Sequence, residues 1–234
     1  MADTTRRKML AASALAPMVG IAGALWADGI SQQQSAAGDG PNRFSASLSA
    51  REKLRRRYFP NLPLITHEGK KVLFYDDVIK GKIVTINMFY AQCDEICPRV
   101  TANLVKVQKF LGDRVGRDIF MYSITLKPEQ DTPQAMRDFM EMHGVKPGWT
   151  FLTGAPDDME MLRRKLGFTY PDPEIDKDKS QHIGNVRYGN EPLALWAACP
   201  GQANADWIVE SISWVDRGRL NTNNTNAKKD VRGS

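Results

Sequence analysis

The sequence is sparing with the residues from which most metal and acid–base sites are built: 234 residues hold three histidines and three cysteines. A small disulfide-stapled scaffold is excluded by that cysteine count and by a chain long enough to bury a proper core. Strong charge of one sign is also missing. The net charge is +5, and residues 1–27 account for part of it through Arg6, Arg7 and Lys8 against Asp3. What remains is mildly basic, and nothing in it points to nucleic acid. After residue 27 no apolar run is long enough to span a bilayer. No internal repeat is present.

The N-terminus reads as a targeting segment. Thr5-Arg6-Arg7-Lys8-Met9-Leu10 is a twin-arginine pattern, the mark of the Tat route. A mildly apolar stretch follows from Met9 to Ala27. Ala22-Gly23-Ala24 is an A-x-A-like cleavage site, and cleavage after Ala27 is a second option. The alternative is an uncleaved anchor, against which Pro17, Gly20, Gly23 and the many alanines weigh. The expected location is periplasmic, with tethering to the inner membrane by the N-terminus as the variant. In an exported chain the odd third thiol calls for an explanation: buried, reactive, or used between chains.

The expected organisation is a signal or anchor over 1–27, a Ser/Gln/Ala/Gly-rich linker over 28–50, one α/β domain over 51–215 and a disordered Asn/Thr-rich tail over 216–234. Arg51 to Arg57 reads as the solvated face of a short helix. Leu62 to Ile65 and Val72 to Tyr75 flank the turn His67-Glu68-Gly69-Lys70, a hairpin signal. Ile83 to Tyr90 is a continuous apolar run, as expected of a strand covered on both faces. Val100, Leu104, Val107 and Leu111 make one helical stripe, ended by Gly112. Asp118 to Ile124 predicts a second central strand. Asp131-Thr132-Pro133 is a helix start, with a capping side chain followed by proline. Trp149 to Leu152 reads as a strand and Pro156 to Leu166 as a helix. Ile183 to Tyr188 and Trp207 to Val215 read as the last strands.

The chemistry concentrates in Cys93-Asp94-Glu95-Ile96-Cys97-Pro98. Both thiols sit where a buried strand ends and a helix begins. A helix N-terminus offers free N–H groups and a partial positive charge, which favour thiolate. Thiolate binds soft metals and attacks disulfides. Three residues separate the sulfurs, which leaves room for a metal ion and still permits a disulfide. A structural bridge and a pair of buried, space-filling cysteines are the competing readings, and against the second the acidic Asp94-Glu95 pair argues for an exposed turn. A third ligand has three candidates. His67 sits in the hairpin turn and reads as solvated. His143 precedes Gly144 at a helix end, where a cationic side chain suits the dipole. His182 follows the polar run Asp176 to Gln181 and opens a strand, where a loop can carry an imidazole over the cysteine turn. Two thiolates suit Cu(I), and an added imidazole tolerates Cu(II). Zinc accepts the same three ligands but takes four in structural sites. Cys199 is a candidate fourth, although Trp196-Ala197-Ala198 beside it favours a buried structural thiol.

A strand–helix–strand opening with a dithiol at the first helix looks like a thioredoxin fold. The expected architecture is a central mixed sheet flanked by helices, with an inserted N-terminal hairpin. Gly81 to Val84, Phe89 to Pro98, Pro128 to Pro133 and Phe151 to Gly154 resemble the Sco/SenC family of copper-delivery proteins, in family order across about Leu62 to Phe168. The resemblance implies copper held by Cys93, Cys97 and one distant histidine, for which His182 lies in the matching part of the chain. It also implies a client, the copper centre of a respiratory terminal oxidase. Two positions depart from the pattern. Asp94 stands where the family has proline, and Lys127 stands where it has aspartate, reversing a local charge. Beyond Gly184 the usual ending is hard to find, as in a divergent branch. Two other functions compete with copper delivery. A thiol–disulfide reductase needs Cys93 and Cys97 as its redox pair but not His182. A peroxidase of the peroxiredoxin type lacks its Pro-x-x-x-Thr-x-x-Cys signature before Cys93, with Cys199 as its one conceivable resolving thiol.

Overall fold

The computed structural model describes residues 49–93, 95–179 and 184–216. The predicted signal, most of the linker and nearly all of the predicted tail lie outside the described residues, as do Asp94 and His182. Among the described residues no helix is long and apolar enough to cross a membrane.

Seven strands form one mixed sheet in the order β2-β1-β5-β4-β3-β6-β7. The hairpin is β1 (Pro63–Thr66) with β2 (Lys71–Leu73). It joins the sheet through β5 (Trp149–Gly154). The centre is β3 (Ile83–Phe89) beside β4 (Ile119–Thr125), in parallel. β5 extends this parallel core, and β6 (Asn185–Asn190) runs antiparallel to β3. β7 (Leu195–Pro200) closes the far edge as a hairpin with β6. This is the thioredoxin-like mixed sheet that the sequence predicts.

The helices are α1 (Ala50–Tyr58), α2 (Ile96–Leu111), α3 (Pro133–Met142), α4 (Pro156–Lys165), the single turn α5 (Pro173–Lys177) and α6 (Ala205–Val215). The crossovers β3–α2–β4 and β4–α3–β5 step the same way along the sheet. Right-handed connections therefore put α2 and α3 on one face. There Phe139 of α3 packs on Phe89 and Phe151, and α6 lies against α2 and β6. The strand pleat turns Arg187 and Trp196 to the other face. Phe59, which ends α1, stacks on Trp196 at 4.5 Å, and Arg187 donates to the carbonyl of Gly167 just past α4.

Two local expectations are corrected. Trp207 to Val215 is helix, not strand. Ile208, Ser211, Ile212 and Val215 form its buried stripe, Asn204 caps it by accepting from the Asp206 N–H, and Trp207 and Trp214 are exposed. The second hairpin strand stops at Leu73, and Phe74–Ile79 winds into a π-helical turn. Acceptor side chains favour that turn: the Asp77 carboxylate takes the Leu73 N–H, and Asn61 Oδ1 takes the N–H groups of Tyr75 and Asp76. The helix cap after β4 is Thr132, whose hydroxyl accepts from Ala135.

Candidate metal centre

β3 is an uninterrupted buried run from Val84 to Phe89, so its C-terminal end is a fixed point. The chain then turns tightly, with the Cys93 N–H donating to the Tyr90 carbonyl at 3.3 Å. α2 begins three residues later, at Ile96. Glu95 occupies its N-cap position but makes no side-chain cap. First-turn N–H groups of a helix need an acceptor from outside it, and Glu95 offers no side-chain oxygen. Sulfur replaces it: the Cys97 N–H donates to Cys93 Sγ at 3.4 Å, and the Tyr90 N–H donates to Cys97 Sγ at 3.4 Å. The two sulfurs are thus drawn together by backbone donors from the strand end and the helix start. No disulfide joins them.

The turn is exposed at Gln92 and Glu95, yet the thiols point inward. Cys93 is 5% exposed and Cys97 is 1% exposed, so exposure at Glu95 does not extend to the sulfurs. The two thiols are electrostatically unequal. Burial is the strongest effect on Cys93 and disfavours its thiolate. The N–H of Cys97, the Tyr90 hydroxyl and the N–H of Glu95 together outweigh it and hold the thiol below its ordinary range. Cys97 is pushed far up, first by burial and then by the neighbouring Cys93 and Asp131.

Asp131 is the site residue that the sequence reading missed, since it looked like part of a helix start. It is 1% exposed. It accepts from the Ala91 N–H at 3.0 Å and from the Thr125 hydroxyl, so it ties the cysteine turn to the end of β4. Burial raises its pKa, against the two hydrogen bonds. The signal available in the sequence was its place inside the Pro128-to-Pro133 motif. Tyr90 is the second such residue, with its backbone on one sulfur and its hydroxyl on the other. Lys127 holds its ammonium 4.1 Å from the centre of the Tyr90 ring. The charge-reversed position therefore sits one side chain away from both thiols.

The other candidates are dispersed. His67 is half-buried, not solvated. Its Nδ1 accepts from the Phe151 N–H at 3.2 Å, and burial lowers its pKa. His143 does end α3, but it stacks on Phe139 at 4.3 Å, and burial lowers its pKa, which disfavours the cationic cap expected of it. Cys199 lies on β7 in register with Val186, which pairs with Asn87 of β3. It is 3% exposed, and burial pushes its thiol up to about 11, as a structural thiol requires. Among the described residues no group of three His, Cys, Asp or Glu side chains is arranged to hold a metal. His182, the third ligand expected from the sequence, lies outside them.

Comparison with known proteins decides the lineage. The family model described as SCO1/SenC matches residues 52–215. The chain belongs to the SCO1/SenC family. Among its relatives is Protein sco1 of Schizosaccharomyces pombe, 27% identical over 121 residues. That match covers 51% of this chain and 44% of the relative, so the chain spans less than half of that protein's length. Two solved structures show the same fold. Arabidopsis thaliana ScoI with copper bound has a TM-score of 0.53 at 19% identity, covering 67% of this chain and 96% of that one. BsSco, described through a disulfide switch and as a member of the Sco family of cytochrome c oxidase assembly proteins, has a TM-score of 0.54 at 22% identity, covering 68% and 92%.

Proposed function

We propose that this SCO1/SenC chain is an exported metallochaperone that binds copper through Cys93 and Cys97, with His182 as third ligand, and supplies it to a respiratory oxidase copper centre. The observation that carries the reading is the sulfur pair at the start of α2, with the Cys97 N–H on one sulfur and the Tyr90 N–H on the other. Soft, closely spaced sulfur donors suit Cu(I), and one imidazole extends the set to Cu(II). Copper is cargo here, so the site must release as well as bind. The copper-bound Arabidopsis relative and the oxidase-assembly description of BsSco support the same assignment. The twin-arginine segment supports Tat export to the periplasm, with a membrane tether at the N-terminus as the variant.

A second reading rests on the inequality of the two thiols. A depressed Cys93 beside a raised Cys97 is the arrangement of an attacking and a resolving thiol. The Cys93 thiolate attacks one sulfur of a client disulfide and displaces the other as a thiolate. Cys97, losing its proton, then attacks the mixed disulfide. A Cys93–Cys97 disulfide forms, two electrons pass to the client, and the client leaves with two thiols. Such a reductase would keep a client's own copper-binding cysteines reduced.

Copper stoichiometry and client assays separate the two. Cys93→Ser and Cys97→Ser should each abolish stoichiometric copper. His182→Ala should weaken Cu(II) by about a hundredfold or more, roughly 3 kcal/mol, and Cu(I) less. Copper delivery lost with disulfide reduction kept supports the chaperone. Delivery and Cu(II) affinity both unchanged remove His182 as a ligand and make thiol exchange the better account.

A further inference from the structure

The face of the sheet opposite α2 carries a cavity of about 330 Å³ that involves neither cysteine. Its walls are aromatic and aliphatic: Tyr58 and Phe59 from the end of α1, Tyr75, Ile86 of β3, Leu166, and Trp196 of β7. That volume and lining are those of a small-molecule pocket, not of a packing defect. The polar groups within it are uneven in their occupation. Glu191 is already engaged, accepting from the Tyr75 hydroxyl at 3.1 Å and the Gly81 N–H at 2.8 Å. Arg55 is held by both oxygens of Glu52 and lies 4.6 Å over the Tyr75 ring.

Arg187 differs. One guanidinium nitrogen donates to the Gly167 carbonyl at 2.8 Å, and the group lies 5.4 Å from the Phe168 ring centre. No acid pairs with it among the described residues. Its Nε is buried and has no hydrogen-bond partner, one of two such side-chain atoms in the described part of the molecule. A buried, uncompensated cationic N–H is costly, and native structures rarely leave one without a purpose. Lys165 brings a second cation to the same lining.

We propose that this cavity is a binding site for a single-chain amphipathic carboxylate, its head on Arg187 and its alkyl chain between Trp196, Phe59 and Leu166. Charge complementarity selects an anion, because the lining's one carboxylate already accepts two hydrogen bonds while Arg187 and Lys165 bring positive charge to it. A carboxylate matches the guanidinium fork, and the apolar walls take the chain. The site is separate from the copper reading and stands or falls without it.

Decanoate is the probe, titrated below its micelle concentration into the intact protein and read by calorimetry and by Trp196 fluorescence. The expected result is one site, with affinity rising about fourfold per methylene from hexanoate to decanoate. Decanol should bind at least tenfold more weakly than decanoate. Arg187→Met should erase that difference while leaving decanol binding unchanged, which a folding defect would not do. Trp196→Phe should remove the fluorescence response and keep the heat. Decanol binding as tightly as decanoate, or a head-group preference that survives Arg187→Met, overturns the proposal. So does refusal of decanoate up to 1 mM, whether a second copy, another segment of the chain or nothing fills the cavity.

Discussion

Replacing Arg163 with methionine should cost more stability than removing an exposed charge, and the loss should have a pH signature. Arg163 is charged yet only 5% exposed at the side chain. It sits between α4 and the turn α5 and makes every bond its fork allows. Two nitrogens reach the Asp176 carboxylate at 2.6 Å each, two reach Glu160 at 2.8 Å, and one also donates to the Phe168 carbonyl at 3.0 Å. Asp176, 12% exposed at its side chain, receives the Tyr170 N–H as well. Methionine removes the cation and leaves Asp176 and a carbonyl buried without it. Breaking a buried pair in this way costs about 3–5 kcal/mol. The low end applies, about 3 kcal/mol, because Glu160 is one-third exposed and keeps Arg164 and Lys179. For a domain of this size that is a drop of about 6–12 °C in Tm. Arg163 holds the Glu160 carboxyl down to about 2, and holds that of Asp176 well below the usual range. Depressed folded-state values mean that the stabilisation is fully present above the unfolded carboxylate range and is lost as pH falls through the folded values. The wild-type protein should therefore shed it between about pH 4.5 and 2, while Arg163→Met unfolds with a shallower acid limb. Thermal and acid melts followed by circular dichroism test this, with Cys93 alkylation as a control that should not change. A Tm within 2 °C of wild type, with an unchanged acid limb, would refute the reasoning.

Timed alkylation at pH 7.5 with mass mapping should modify Cys93 first and leave Cys97 and Cys199 largely protected, because burial raises both of those thiols while N–H donors lower Cys93. Equal rates would contradict the unequal pair. Gly148→Ala should destabilise by about 2 kcal/mol or more, since φ is +91° and a Cβ would lie 2.8 Å from the Val115 carbonyl oxygen, with Gly116 packed on the same strip of backbone. A denaturant midpoint equal to wild type would show that the two loops part easily. Thr132→Ala removes the cap of α3 and should cost about 1 kcal/mol, with Thr132→Ser recovering most of it in the same measurement.

How much of this was legible in the sequence depended on whether one periodicity stood alone. The central strands were plain because Ile83 to Phe89 is apolar but for Thr85 and Asn87, both buried, and α2 was plain because Val100, Leu104, Val107 and Leu111 fit only a helical repeat. α6 was misread because Ile208 and Ile212 are four apart, a spacing that satisfies alternation and helix alike. Ser211 and Val215 broke the tie for the helix, and the Asn204 cap announced it. β7 was not marked as a strand: it is an edge with the small residues Ala197 and Ala198 exposed, so it carries almost no apolar alternation. At the site, the cysteine turn was legible from local order alone. Asp131 was not, because its partners Ala91 and Thr125 belong to other segments and meet it only in the folded chain.

The sulfur acceptor at the start of α2 gives the protein a built-in gauge. In most helices the first turn is closed by a side chain whose charge is fixed at neutral pH. Here the Cys97 amide donates to Cys93 sulfur, so the order of that turn responds to the electron density on that atom. A thiolate closes it well. An alkylated, oxidised or donated sulfur closes it less well, and the first turn should fray. Anything that changes the state of Cys93 is thereby written into backbone that a docked partner can touch, and the exchange rate of a single amide hydrogen should report whether the protein is ready to give or to receive.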